Sequence, residues 1–302
     1  MPAKMKLEGS MTALVTPFTE EGALDEAALR RLVKRQIEGG VAGLVPCGTT
    51  GEAATMDPDE HQQVVRIAVE EARQANRPVK VVAGAGTNST KKTIDLAKRC
   101  EAAGADALLI VTPYYNKPVP AGLLAHYRAV ADAVGKPIVI YNVPGRTGCN
   151  CLPPTVLELA KDRRFVGVKE ASGNLDQASA ILRDRPDHFA VLSGDDSLTL
   201  PIVALGGDGV IAVVANEAPA LLVELVAAAL AGKRDQAATL HARLFPLMRA
   251  NYLESNPIPV KWAVARLGLM GGHARLPLSP LAPAHHGALE EALRLAGVLE
   301  RS

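Results

Sequence analysis

Two rhythms alternate along the chain. Short, nearly unbroken apolar runs stand at 11–17 (MTALVTP), 42–48 (AGLVPCG), 79–85 (VKVVAGA), 106–113 (DALLIVTP), 137–144 (PIVIYNVP), 165–171 (FVGVKEA), 190–196 (AVLSGDD) and 209–215 (GVIAVVA). They are β-rich and too short for helices, so they predict strands. Between them lie stretches such as DEAALRRLVKRQIEGG and DEHQQVVRIAVEEARQ, where apolar residues recur every three or four positions. That spacing predicts amphipathic helices. Asp25 and Asp57 stand where N-caps belong, since a short carboxylate can accept from the free amides of a first helical turn.

The pattern repeats. EGGVAGLVPCG (38–48), AAGADALLIVTP (102–113) and LGGDGVIAVVA (205–215) each end a helical stretch with glycine and run into a strand. Gly40, Gly104 and Gly207 are expected to take the left-handed turn after a helix. They are separated by about two and about three units of roughly 30–35 residues, the size of one strand plus one helix. Apolar strands alternating with helices predict a parallel sheet covered on both faces. Eight such units predict an α/β fold of the (β/α)₈ TIM-barrel type. From about residue 217 only helical patterns occur. The expected organisation is a catalytic barrel over 1–232 and a C-terminal helical appendage over 233–302, with a Pro- and Gly-rich break around 271–283.

In such barrels the chemistry sits at the C-terminal ends of the strands. Those ends carry Gly48-Thr49-Thr50, Tyr114-Tyr115, Tyr141, Lys169 and Ser193-Gly194-Asp195-Asp196. GGDG at 206–209 precedes the eighth strand, so it reads as a helix-ending turn, not as the phosphate loop that follows a late barrel strand.

Composition narrows the function. The chain has 302 residues, 48% hydrophobic and 22% charged, enough for a large core. Lys+Arg number 33 and Asp+Glu 32, so no basic stripe argues for nucleic acid. The opening MPAKMKLEGS lacks the apolar segment of a secretory leader, and no apolar run approaches the roughly 18 residues of a membrane span. A soluble cytoplasmic protein is expected. Cys47, Cys100, Cys149 and Cys151 include no C-x-x-C, and the seven histidines show no metal-binding spacing, so free thiols and no metal are expected.

Lys169 ends an apolar strand in VGVKEAS (166–172). One reading is a lysine that reaches water or pairs with Glu170. The other is an amine held in an apolar barrel mouth, where burial disfavours the charged form. A neutral amine attacks a ketone to form a Schiff base, and the iminium then serves as an electron sink. Such chemistry needs a proton shuttle but no cofactor. Tyr141, with Thr49 or Tyr115, can supply it. GTTGE (48–52) brackets two hydroxyls in a strand-to-helix turn whose amides could hold a carboxylate or a phosphate. Arg146, in the loop after Tyr141, could hold a second carboxylate in bidentate fashion. Pro257 and Trp262 in ESNPIPVKWA are assigned to packing.

Together TALVTPF (12–18), GTTGEAATM (48–56), VTPYYNKP (111–118), YNVPGRTGC (141–149), VGVKEASG (166–173), SGDD (193–196) and ESNPIPVKWA (254–263) resemble the dihydrodipicolinate synthase family. That family lies among the pyruvate-dependent class I aldolases that include N-acetylneuraminate lyase. The resemblance covers nearly the whole chain. It implies a Schiff base between Lys169 and pyruvate, a proton relay of Thr49, Tyr141 and Tyr115, and no cofactor. Thr50, with backbone of Gly194 and Ile211, would hold the pyruvate carboxylate. Arg146 would bind the carboxylate of L-aspartate 4-semialdehyde, which favours a synthase over a sugar-acid lyase. The Tyr115 position reaches into a neighbouring subunit in the family, implying a homotetramer arranged as a dimer of dimers. The product would be 4-hydroxy-tetrahydrodipicolinate, on the route to diaminopimelate and lysine.

Lysine-inhibited members carry an allosteric site near the same interface. By alignment it would involve Ala53, Pro58, His61, Asn88, Lys92 and Tyr114 here. Lys92 falls where inhibited members carry a glutamate, so a cation would face the ammonium of free lysine. Weak or absent feedback inhibition is expected. The competing readings are another pyruvate-dependent aldolase or lyase, acting on a sugar acid or hydroxy-oxo acid, and a silent barrel that binds a small carboxylate.

Overall fold

The computed structural model describes residues 5–300. Residues 1–4 and 301–302, which include the start of the expected barrel, the end of the expected appendage and part of the MPAKMKLEGS opening, lie outside the described residues. The elements follow as β1 (Gly9–Ala13), α1 (Glu26–Glu38), β2 (Gly43–Val45), α2 (Pro58–Arg73), β3 (Lys80–Gly84), α3 (Thr90–Ala102), β4 (Ala107–Val111), α4 (Pro120–Ala133), β5 (Ile138–Asn142), α5 (Pro144–Thr147) and α6 (Pro153–Ala160). Then come β6 (Phe165–Glu170), α7 (Leu175–Asp184), β7 (Ala190–Ser193), α8 (Thr199–Ala204), β8 (Gly209–Ala212), α9 (Pro219–Leu230), α10 (Arg234–Ala250), α11 (Ile258–Arg266) and α12 (Pro283–Ala296).

The strands β1 to β8 pair in parallel and in chain order, and β8 closes on β1. This is the expected (β/α)₈ barrel. Side chains such as Met11, Val45, Val82, Leu109, Val139 and Ile211 fill its interior. Leu44, Val81, Leu108 and Ile140 point outward, into the layer between strands and helices. Period-2 alternation puts successive residues on opposite faces, and both faces are covered here, so every strand reads as apolar.

The ladders are shorter than the apolar runs. β2 stops at Val45, since Pro46 has no amide to give to a neighbour. After β1, the amide of Val15 donates to Asn216 Oδ1 at 3.1 Å instead of to a strand. The remainder of each run is loop at the C-terminal mouth, where the polar groups collect.

The expected caps form. Asp25 accepts from the Ala28 amide, and Asp57 accepts from those of Asp59 and Glu60. Gly40 and Gly104 take the left-handed turn, with φ of 89° and 91°. The third repeat differs from expectation: Gly206 takes that turn, with φ 100°, and Gly207 does not. Gly207 instead lets the chain pass Ile202, whose Cγ2 would lie 2.6 Å from an added Cβ.

Candidate active site

The residues of β6 do not alternate regularly. Ile138 pairs with Phe165, but the next residue, Val139, pairs with Gly167, so Val166 is an extra residue in β6. Such a bulge changes which face later side chains occupy. Phe165 packs outward and Val166 inward. After the bulge Val168 faces outward, Lys169 inward and Glu170 outward. Without it, Val168 would face the interior and Lys169 the helices. Gly167 makes this geometry possible, because an added Cβ would lie 2.7 Å from the backbone oxygen of Ala190. We expect Gly167→Ala to lower stability by about 1–3 kcal/mol, the usual scale of overpacking. It should also slow adduct formation at Lys169. Urea denaturation and a borohydride-trapping time course check the two effects.

Lys169 is buried, with Nζ 4.3 Å from the centroid of the Tyr141 ring. The two residues are register partners on adjacent strands. The alternative partner, Glu170, is engaged elsewhere. Its carboxylate accepts from the Ser172 amide at 2.8 Å, from Asn142 Nδ2 at 3.1 Å and from Gln177 Nε2 at 3.2 Å. Two other carboxylates, Asp195 and Asp196, feel the charge of Lys169. Burial raises both above the usual carboxylate range, Asp196 to about 6, and the charge of Lys169 opposes the rise. Asp196 also accepts from the amides of Val213 and Val214, at 2.9 and 2.7 Å, which fixes the turn after β8.

Gly194 donates its amide to the Glu170 backbone oxygen at 2.7 Å. A Cβ there would lie 3.1 Å from Lys169 Cε and Cγ, so this glycine leaves room for the lysine stem. Ile211 lies fully buried in β8, among the side chains that fill the barrel.

The GTTGE turn is bounded by Cys47 and Glu52, both left-handed, with φ of 55° and 56°. The amides of Gly51, Glu52 and Ala53 donate back to Gly48 and Thr49 oxygens. The amides of Thr49 and Thr50 are not used in this way. Thr50 is buried, and its hydroxyl accepts from Asn256 Nδ2 at 3.0 Å. Arg146, on the short α5, donates through Nη2 to the Asn256 backbone oxygen at 3.2 Å.

A cavity of about 980 Å³ opens at this end of the barrel. Thr49, Tyr141 and Arg146 line it, whereas Lys169, Thr50, Gly194 and Ile211 are not on its wall. Ala53, Pro58, His61, Asn88, Lys92 and Tyr114 line the same cavity, so the structure brings those six residues together. Tyr115 is 88% exposed, with φ 72°, and is not on the cavity wall of its own chain. Sequence reasoning missed Asn256, Glu52 and Lys261. Asn256 and Pro257 border the cavity. Lys261 forms a fully buried ion pair with Glu52, and Glu52 Oε2 accepts from the Arg275 amide at 3.0 Å. Nothing local signals these contacts, because Asn256 lies 206 residues from Thr50 and Lys261 lies 209 from Glu52. Trp262 stacks on His286 with centroids 4.6 Å apart, the packing role assigned to it.

The arrangement suits covalent chemistry on a small carbonyl acid. It offers a buried amine, a phenol against it, a turn and a guanidinium for carboxylates, and apolar walls that limit water. Among the described residues, no group of three or more His, Cys, Asp or Glu side chains is placed to hold a metal. No described helix is long and apolar enough to cross a membrane.

Comparison with known proteins agrees with the geometry. Residues 6–296 match the Dihydrodipicolinate synthetase family. The 4-hydroxy-tetrahydrodipicolinate synthase of Maridesulfovibrio salexigens is 50% identical over 98% of this chain and 100% of its own. The enzyme of the same name from Methanosarcina mazei is 49% identical over 97% of this chain and 99% of its own. The solved structure of the chloride-inhibited dihydrodipicolinate synthase of Acinetobacter baumannii, complexed with pyruvate, superposes with a TM-score of 0.94. It is 42% identical and covers 97% of this chain and 100% of that one.

Proposed function

The chain belongs to the dihydrodipicolinate synthetase family, and from that membership we infer that it condenses pyruvate with L-aspartate 4-semialdehyde to give 4-hydroxy-tetrahydrodipicolinate. It is a synthase of the class I aldolase type, acting in diaminopimelate and lysine biosynthesis. The observation that carries the residue-level reading is Lys169, turned into the barrel mouth against the Tyr141 ring.

In this reading Lys169 Nζ attacks the pyruvate ketone and water leaves, which forms the iminium. Loss of a methyl proton gives the enamine, whose carbon attacks the aldehyde and makes the new carbon–carbon bond. The amino group of the second substrate then displaces Lys169 and closes the ring. One water is released overall. Tyr141 and Thr49 move protons at the carbonyl and imine. Thr50, Gly194 and Ile211 seat the pyruvate carboxylate, and Arg146 takes the second carboxylate. Tyr115 is the remaining member of the relay. Its exposure in the single chain suits a role in the site of a neighbouring copy, within a homotetramer of two dimers.

The test is a coupled assay with pyruvate, L-aspartate semialdehyde and the NADPH-dependent reductase that consumes the product. NADPH loss by the wild type supports the reading. Absence of turnover, with pyruvate still trapped on the protein by borohydride, would move the search to another acceptor aldehyde.

We also propose weak or absent feedback inhibition by L-lysine. Lys92 lines the cavity together with Asn88, where its ammonium opposes that of a bound lysine. Activity is expected to hold as L-lysine is titrated through the millimolar range. Half-inhibition at submillimolar L-lysine would overturn this.

A further inference from the structure

Beyond the strand ladders, side chains close the barrel on both sides of β8. The ladder from β7 to β8 ends at Ser193 and Val210, and the ladder from β8 to β1 ends at Ala212 and Thr12. On the β1 side Asn216 takes over. Its Nδ2 donates to the Ala13 oxygen at 2.8 Å, and its Oδ1 accepts from the Val15 amide at 3.1 Å. On the β7 side Asp196 takes over, accepting from the Val213 and Val214 amides at 2.9 and 2.7 Å. A neutral amide suffices on one side. The other side carries a carboxylate that is 1% exposed, although burial penalises its charge. It is also the side beside Lys169. Gly194, two residues before Asp196, lies against the lysine stem, and its amide ties the turn back to β6.

We propose that Asp196 is a positioning residue for the Schiff-base step: held by two amides, its buried negative charge steadies the cation that forms on Lys169 Nζ when pyruvate is bound. This rests on the functional reading above. Attack of Nζ on the ketone gives a carbinolamine. That species takes up one proton, loses its hydroxyl as water and becomes the iminium, so positive charge appears at the nitrogen in this step. A fixed anion in a buried site favours that charge without having to reorganise. The other titratable groups in range do not replace it. Glu217, after β8, is pushed well above the usual carboxylate range by burial, and Asp196 adds to the rise. The Tyr252 phenol, after α10, is also raised, by burial first and then by Asp196 and Asp195. Both shifts favour the neutral form. Asp195, on the same turn, feels Lys169 too, but it is only partly buried, so water screens it more.

The test follows pyruvate capture by cyanoborohydride, which reduces the iminium, and competition by oxamate, an isostere of pyruvate that forms no Schiff base. In Asp196→Asn, capture at neutral pH should fall by about 10–100-fold, the scale on which one opposite charge shifts an ionisation equilibrium. The inhibition constant of oxamate should move only a few-fold, because its seat gains no cation. Burial raises Asp196 to about 6, so its charge is present above that pH and lost below it. The ratio of wild-type to variant capture should therefore shrink as the pH drops through about 6. Asp196→Ser gives the same comparison if the asparagine chain does not fold. Equal losses of capture and of oxamate binding would show that Asp196 only holds the turn after β8, and would overturn the proposal. So would unchanged capture in the variant, or a ratio that stays constant with pH. Failure of the functional reading looks different: the wild type itself would capture no pyruvate at any pH.

Discussion

Lys169→Ala is expected to abolish condensation, lowering kcat/KM by about four orders of magnitude or more, the scale on which loss of a covalent nucleophile acts. Borohydride should trap no pyruvate on the variant, and mass spectrometry of the wild type should locate the adduct on a peptide containing Lys169. The fold should survive. Lys169 contributes to the barrel ladder through its backbone alone, which alanine keeps, and its side-chain stem occupies a channel left open by Gly194. A tolerated alanine with lost trapping separates chemistry from structure. Lys169→Arg should be equally inactive, because a guanidinium stays protonated and is a poor nucleophile. If Lys169→Ala retained turnover within about tenfold of wild type, the covalent mechanism would be wrong for this protein. If it lost turnover but still trapped pyruvate, another amine would be the nucleophile. The other buried lysine among the described residues, Lys261, is held by Glu52 and is not free to attack.

The second large effect concerns stability. Lys261→Met should destabilise the protein by about 3–5 kcal/mol, because it leaves Glu52 charged, buried and without its ammonium. The side chains of both residues are about 1% exposed. Lys261 Nζ also lies 4.5 Å from the Phe18 ring centroid, and the Arg275 guanidinium lies 3.9 Å from that ring. Burial lowers the Lys261 pKa, and Glu52 partly restores it. The double change Glu52→Gln/Lys261→Met should recover most of the loss, since an apolar or neutral replacement of a buried pair is often close to neutral. Urea midpoints of the single and double variants decide this. A loss below about 1 kcal/mol in Lys261→Met would mean that Glu52 finds another partner or a proton. The pair also explains why the C-terminal helices matter to the site. Glu52 ends the turn that carries Thr49 and Thr50, and α11 supplies its counter-charge. Lys261→Met should therefore raise the KM for pyruvate as well.

Much of this was legible along the chain. The eight apolar runs, the helix-ending glycines at 40 and 104 and the caps at Asp25 and Asp57 each have local physical causes: the strand and helix periods, the left-handed turn and the free amides of a first turn. The barrel follows, because parallel strands buried on both faces and alternating with helices have few ways to close. Lys169, Tyr141, Thr49 and Arg146 could be nominated because they end predicted strands or follow them, and barrels place such residues on one face.

The direction in which Lys169 points was not legible. Regular alternation from Val166 would turn it outward, and only the extra residue in β6 brings it inward. A bulge is a property of two strands in register, and a single strand read alone carries no signal for it. The third helix-ending glycine was misplaced by one residue for a related reason. Gly206 and Gly207 are alike in sequence, and only the close approach of Ile202 distinguishes them. The contacts of Asn256 with Thr50 and of Lys261 with Glu52 join segments more than 200 residues apart. Sequence by itself determined the architecture and nominated the candidate groups, because local periodicity and residue chemistry act over a few positions. Tertiary structure alone decided which way the amine points and what holds the Thr49–Thr50 turn, because register and burial exist only once distant segments are packed.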